Sequence, residues 1–123
     1  MEEIKTNFGN LYIEVSIESD DEWVLLNEES KIIGWVDKKE WEENEDFLTT
    51  TTDWNKFIDI LFCDLLGTDV SWGSSKKELM EQVDEYMIPN GYKTDKKAVK
   101  QDMFKFGKLY MLTDVGDYYD GTY

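Results

Sequence analysis

The sequence predicts an α+β fold in which an N-terminal antiparallel sheet of about four strands packs on about three C-terminal helices. Apolar and polar residues alternate over 11–18 and short apolar segments follow up to residue 36, apolar residues recur at helical spacing from residue 54 onward, and turn-forming residues separate the segments. The 123 residues are 41% hydrophobic and 15% aromatic, which is enough for one core. We therefore expect a single domain over 1–113 followed by an acidic, tyrosine-rich tail over 114–123.

Four strands are expected in the first 36 residues. Alternating apolar positions mark the second of them: Leu11, Ile13, Val15 and Ile17. The Gly9-Asn10 turn signal pairs this strand with 4–8 as a hairpin. Two acidic turns, 20–22 and 28–30, bound a third strand over 23–26 and lead into a fourth over 31–36. The result is an antiparallel meander with acidic loops.

A short acidic helix is expected to begin after Asp37, because Asp37 and Glu40 have the spacing of a capping box. The four threonines over 49–52 are β-branched and disfavour a helix interior. This run predicts an ordered loop, and an additional strand is the alternative.

The second half of the chain predicts helices over 54–66, 76–87 and 96–106. Asp53 is the expected N-cap of the first helix and Gly67 its C-terminal residue. Ser74 or Ser75 is expected to cap the second, and Asp95 the third. The segment 67–76 is then a helix–helix connection, and 109–112 returns to the sheet as an edge strand.

The missing residue types restrict the chemistry. The chain has 28 acidic residues and 13 basic ones, a net charge of −15, and it contains no arginine and no histidine. Histidine-based catalysis and imidazole metal ligation are therefore excluded. The single Cys63 lies in an apolar run and is expected to be a small buried residue. No acidic spacing matches a metal-binding loop, so we expect no metal, no cofactor and no enzymatic activity.

The charge also restricts the partners. A surface this acidic repels the phosphates of nucleic acids and the anionic face of a membrane, so direct binding to either is disfavoured. The N-terminal residues lack an apolar signal region, and no run approaches 18 apolar residues. We therefore expect a cytoplasmic protein whose partner is basic.

Acidic and aromatic residues are interleaved in the first half of the chain, where residues 1–50 hold 15 acids and four lysines. Carboxylates spaced by about 6–7 Å along a strand or helix resemble the phosphates along one nucleic-acid strand. Trp23, Trp35 and Trp41 lie among them, and we expect Trp23 and Trp41 to anchor the contact. The carboxylates expected to meet the partner are Asp20, Asp21, Glu22, Glu28, Glu29, Glu40, Glu42, Glu43, Glu45 and Asp46. A second candidate lies in the tail and consists of Asp117, Tyr118, Tyr119 and Asp120.

In size, charge, aromatic content and its use of lysine without arginine, the chain resembles the small acidic inhibitors encoded by phages of low-GC bacteria. This class includes anti-CRISPR inhibitors of Cas9 and anti-restriction DNA mimics, and the resemblance rests on no shared motif. It implies a stoichiometric inhibitor that occupies the basic nucleic-acid-binding surface of a host defence nuclease, with a Cas9-type CRISPR effector as the first expectation.

Two alternatives remain open. An immunity protein that neutralises a basic toxin, such as a nuclease, would have the same electrostatics and the same salt-sensitive association. A small acidic enzyme, or a structural domain whose acidic surface is simply solvated, is the other alternative.

Overall fold

The computed structural model describes residues 1–15, 21–87 and 96–113. The chain divides into two compact units, Met1–Thr68 and Asp69–Tyr123. The first contains a four-stranded antiparallel sheet and the second a three-stranded sheet, so the predicted α+β class and N-terminal sheet are confirmed. The described residues form four α-helices, where the sequence predicted about three. The single domain predicted over 1–113 spans both units and stays a prediction, and the tail lies outside the described residues.

The first sheet is the predicted meander. Its strands are β1 (Glu2–Lys5), β2 (Asn10–Val15), β3 (Glu22–Leu26) and β4 (Ile32–Asp37), hydrogen-bonded in that order. Ile17, predicted as the last inward residue of the second strand, lies outside the described residues. The inner face of the sheet is defined by its buried side chains: Ile4, Leu11, Ile13, Leu25 and Val36.

A register shift follows the turn between β3 and β4. Leu25 lies opposite Gly34, whereas Leu26 lies opposite Ile32, so Ile33 is the additional residue of a bulge. Ile33 is buried and Ile32 is exposed. Buried Asn27 holds the turn, because its Oδ1 accepts hydrogen bonds from the backbone N–H groups of Glu29 and Lys31 at 3.0 and 2.9 Å.

Helix α1 (Lys38–Thr50) begins where predicted. Oδ1 of Asp37 accepts hydrogen bonds from the N–H groups of Lys39 and Glu40 at 2.9 and 3.1 Å. The loop predicted over 49–52 is wrong at its first two positions, because Thr49 and Thr50 form the last residues of the helix. Their hydroxyl groups donate hydrogen bonds to the carbonyl oxygens of the residues four positions earlier, so these polar groups are hydrogen-bonded within the helix.

The helix predicted over 54–66 has two parts. Helix α2 (Trp54–Ile58) is capped by Asp53, whose side chain accepts from Lys56 N–H, and it continues as a π-helical segment, Asp59–Leu65. The prediction that Cys63 is buried is wrong: its side chain is exposed. Leu61 and Phe62, which the sequence predicted to face inward, are buried, whereas helical spacing places Cys63 on the opposite side from this apolar face.

In the second unit, the helix predicted over 76–87 is confirmed as α3 (Lys76–Met87). Oγ of Ser75 accepts from Glu78 N–H at 3.1 Å, which makes Ser75 the predicted serine cap. The helix predicted over 96–106 ends early: α4 (Lys96–Asp102) is followed by a strand, β6 (Phe104–Phe106). The segment predicted as a connection contains another strand, β5 (Val70–Gly73).

The predicted edge strand is the central strand of the second sheet. β7 (Leu109–Thr113) pairs with β5 on one side and β6 on the other, in the order β5-β7-β6. Phe104 and Phe106 are buried while Lys105 between them is exposed, and this period-2 pattern is typical of a strand. A core cluster beneath the sheet consists of Leu79, Met80, Val83, Val99, Met103 and Leu112.

Candidate protein-binding surface

The exposed side of α1 carries mostly acidic side chains after its first two residues, Lys38 and Lys39, which are exposed lysines. Glu42, Glu43 and Asp46 are exposed, and Glu45 between them is half-buried. Residues three and four apart on a helix are neighbours with Cβ atoms about 5–6 Å apart, so these carboxylates form one continuous patch with Glu40. Among the described residues none of the five forms an ion pair. We call Glu40, Glu42, Glu43, Glu45 and Asp46 the α1 acidic patch.

One carboxylate of the patch, that of Glu45, has a shifted pKa. The pKa of Glu45 is raised, first by burial and then by the negative charges of Glu2, Asp46 and Glu42. Glu2 belongs to β1, so the patch continues from the helix onto the edge of the sheet. Burying a carboxylate among like charges is unfavourable, and a cation from outside the protein would relieve it.

A groove beside the patch has an apolar floor and an acidic rim. It encloses about 680 Å³ and is lined by Met1, Glu2, Ile13, Glu14, Val15 and Trp23. Val15 is 60% exposed, although it lies opposite half-buried Trp23 in the sheet. Long basic side chains combine an aliphatic stem with a charged head, and this groove offers complementary surface to both.

Of the two predicted aromatic anchors, Trp23 reaches the surface and Trp41 does not. Trp23 lines the groove, and Nζ of Lys38 lies 5.7 Å from the centroid of its ring. Trp41 is 1% exposed and shares the inward side of α1 with Leu48, seven residues later. The assignment of Trp41 as a partner-binding anchor is therefore wrong, because its ring is part of the core of the first unit.

The predicted carboxylates do not form one surface. Asp21 lies near the start of α1, where Lys38 N–H donates to its carbonyl oxygen at 2.8 Å. A hollow of about 260 Å³ at this point is lined by Asp21, Asp37, Lys38, Lys39 and Glu42. Glu28 and Glu29 lie beyond the other end of β3, roughly 20 Å away at 3.3 Å per strand residue. Asp20, Asp117, Tyr118, Tyr119 and Asp120 lie outside the described residues.

The sequence prediction missed the outer face of the first sheet, which is the face opposite the buried one. Trp35 lies opposite Val24 on this face and is 53% exposed. Ile32 lies opposite Leu26 and is 48% exposed. The alternation in β4 separates Trp35 from buried Val36, but alternation alone does not tell which of the two faces solvent.

Three other features bear on function: metal sites, hollows in the second unit and membrane-spanning helices. Across residues 1–15, 21–87 and 96–113, no three histidine, cysteine, aspartate or glutamate side chains are placed to hold a metal ion. In the second unit, a hollow of about 460 Å³ is lined by Lys76, Lys77, Met80, Glu81 and Lys100. No helix in the described part of the chain has the length and apolar composition to cross a membrane.

Comparison with known proteins yields no relative: no family model, no curated protein and no solved structure matches the chain.

Proposed function

We propose that this protein is a stoichiometric inhibitor that binds the basic nucleic-acid-binding surface of a host defence nuclease. The observation that carries the proposal is the α1 acidic patch, in which five carboxylates lie together without ion pairs in the described structure and the pKa of Glu45 is raised by burial and, after it, by acidic neighbours. Such a patch costs stability through self-repulsion, and binding a basic surface removes that cost.

The spacing of the patch supports mimicry of nucleic acid. Carboxylates at i, i+3 and i+4 on α1 repeat at about 5–6 Å along the helix, similar to phosphates along one strand. A groove that normally binds phosphates presents lysine and arginine at matching intervals. A Cas9-type CRISPR effector is the first enzyme to test, because its nucleic-acid channel and duplex-reading arginines are basic.

Two double variants of equal net charge test whether inhibition depends on the carboxylates of α1 or only on the total negative charge. Glu42→Lys with Glu43→Lys reverses the centre of the α1 acidic patch, and Glu81→Lys with Glu85→Lys reverses two exposed carboxylates on α3. We expect the first to abolish inhibition of target-DNA cleavage by the effector and the second to preserve most of it. Equal loss in both variants would show that only total charge matters, and would contradict the assignment to α1.

Binding itself is tested by affinity capture on the effector at 50 and 300 mM salt. Because the contact is electrostatic, affinity should fall steeply as ionic strength rises. Binding that is indifferent to salt contradicts the proposal. Inhibition of a basic toxin nuclease, with no effect on CRISPR effectors, would instead assign the protein to the immunity class.

A further inference from the structure

The outer face of the first sheet combines exposed apolar side chains with a carboxylate rim. Trp35 lies opposite half-buried Val24 in one cross-strand row, and Ile32 lies opposite Leu26, whose side chain is buried, in the next. Alternation normally places polar residues on the solvated face of an antiparallel sheet. Trp35 and Ile32 are each about half exposed there, which indicates a surface that is covered by another molecule.

Two carboxylates lie beside the indole. Glu22 and Asp37 are directly opposite each other, in the row next to Val24 and Trp35. Asp37 lies two residues after Trp35 on the same strand, about 6.6 Å away. Glu22 lies on the neighbouring strand and is the diagonal neighbour of Trp35, at about 7–8 Å. Oδ1 of Asp37 caps α1. The side-chain carboxylate of Glu22 accepts no hydrogen bond and forms no ion pair within the described structure.

This combination favours arginine over lysine. A guanidinium group is planar, stacks on an aromatic ring, and donates hydrogen bonds to carboxylates from its edge while its face remains on the ring. A lysine ammonium is compact and more strongly hydrated, so it benefits less from the indole. A cation lying on Trp35 is within reach of both Glu22 and Asp37.

The composition of the chain excludes a second copy as the source of that group. The protein contains no arginine. Residues 1–68 also hold 18 acidic residues and five lysines, so two copies of this face would repel each other. The complementary occupant is a different, basic protein.

We propose that the outer face binds an arginine side chain of the partner protein, with the guanidinium stacked on Trp35 and hydrogen-bonded to Glu22 and Asp37. This rests on the proposed function in requiring a basic partner, and it adds the residue type that the partner presents. The site lies on the sheet and is distinct from the α1 acidic patch.

The test uses the full chain and two synthetic peptides, one of alternating arginine and glycine and one with lysine in place of arginine. We expect the arginine peptide to bind about three- to tenfold more tightly and to shift the indole resonance of Trp35 in NMR titrations. Trp35→Leu keeps an apolar side chain and should reduce arginine affinity to the lysine value. Glu22→Gln should weaken arginine binding more than Glu85→Gln, which removes the same charge from the exposed side of α3.

The inference is overturned if Trp35→Leu retains the preference for arginine, or if Glu85→Gln weakens binding as much as Glu22→Gln. It is also overturned if sedimentation shows a dimer that Trp35→Leu dissociates, because a second copy would then cover the face. A preference for arginine that depends on Trp35, without inhibition of any nucleic-acid enzyme, would support this site and reject the proposed function. Inhibition that depends on the α1 acidic patch, without a preference for the arginine peptide, would support the proposed function and reject this site.

Discussion

Leu66 packs over Gly34 on the inner face of the first sheet so closely that a Cβ at residue 34 would lie 2.9 Å from Cδ2 of Leu66. Gly34 lies opposite buried Leu25, so the residue that follows the π-helical segment meets the sheet at this point. The contact explains why a residue that weakens strands is found inside β4.

Gly34→Ala should therefore destabilise the protein by about 1 kcal/mol, the lower end of the usual cost of overpacking, because the colliding atom is the end of the half-buried Leu66 side chain and alanine by itself favours a strand more than glycine does. Urea denaturation followed by tryptophan fluorescence would measure the change. Leu66→Ala removes the atoms that collide with the new Cβ, so the double variant should lose less stability than the two single changes predict. Additive losses would contradict the proposed collision.

Gly67 ends the helical segment with φ +66°, and a Cβ there would meet no atom within 4 Å. Gly67→Ala should cost about 1 kcal/mol through backbone strain alone. Gly67→Asn should cost less, because asparagine tolerates the left-handed conformation. Equal unfolding free energies for the two variants would contradict this origin of the effect.

The tryptophans provide a contrast between core and surface. Trp41→Ala should destabilise the protein by about 3–5 kcal/mol, because the ring is 1% exposed. Trp35→Ala should cost clearly less, about 1 kcal/mol, because only about half of this residue is buried. Thermal or urea unfolding of both variants would check this, and a large loss for Trp35→Ala would mean that the outer face is structural.

The raised pKa of Glu45 predicts a pH dependence. Its pKa is higher in the folded protein than in the unfolded chain, so the folded state binds the proton more tightly and the ionised carboxylate opposes folding. Glu45→Gln should therefore be more stable than the parent at pH 7, by about 0.2–0.5 kcal/mol for each like-charge neighbour on the helix.

That advantage should shrink as the pH falls through the folded-state pKa of Glu45, because the parent then loses the same charge by protonation. Unfolding free energies measured from pH 4 to pH 8 would show the convergence. Glu29→Gln, in the turn between β3 and β4, is the matched single-charge control and should show a smaller effect at pH 7. A constant difference between Glu45→Gln and the parent at all pH values would contradict the repulsion.

The exposed thiol gives a direct test of where the Cys63 side chain lies. Cys63 should react with Ellman's reagent in the native protein, to the same extent as in the unfolded chain, because its side chain reaches solvent. Cys63→Ser should abolish the reaction and change stability little. A thiol that reacts only after denaturation would place Cys63 inside the core, as its apolar sequence neighbours predicted.

Local patterns predicted most of the elements. Alternation located the first sheet, and short-range side-chain hydrogen bonds placed the caps at Asp37, Asp53 and Ser75. The predictions failed where a local preference was overridden or where sequence neighbours were used in place of helical spacing. Threonine hydroxyl groups at residues 49 and 50 donate back to helix carbonyl oxygens, and Cys63 was expected in the core because of its apolar neighbours, although helical spacing places it opposite the apolar face.

The sequence by itself determined the chemistry available to this protein. The chain contains no arginine and no histidine, so it supplies neither a guanidinium nor an imidazole group, and this does not depend on the fold. Only the tertiary structure decided which tryptophan reaches the surface. Trp41 follows the helix period into the core, whereas the strand pleat turns Trp35 outward beside Glu22. Burial is decided by which faces pack together, and a one-dimensional pattern gives the spacing of the faces without telling which of them is covered.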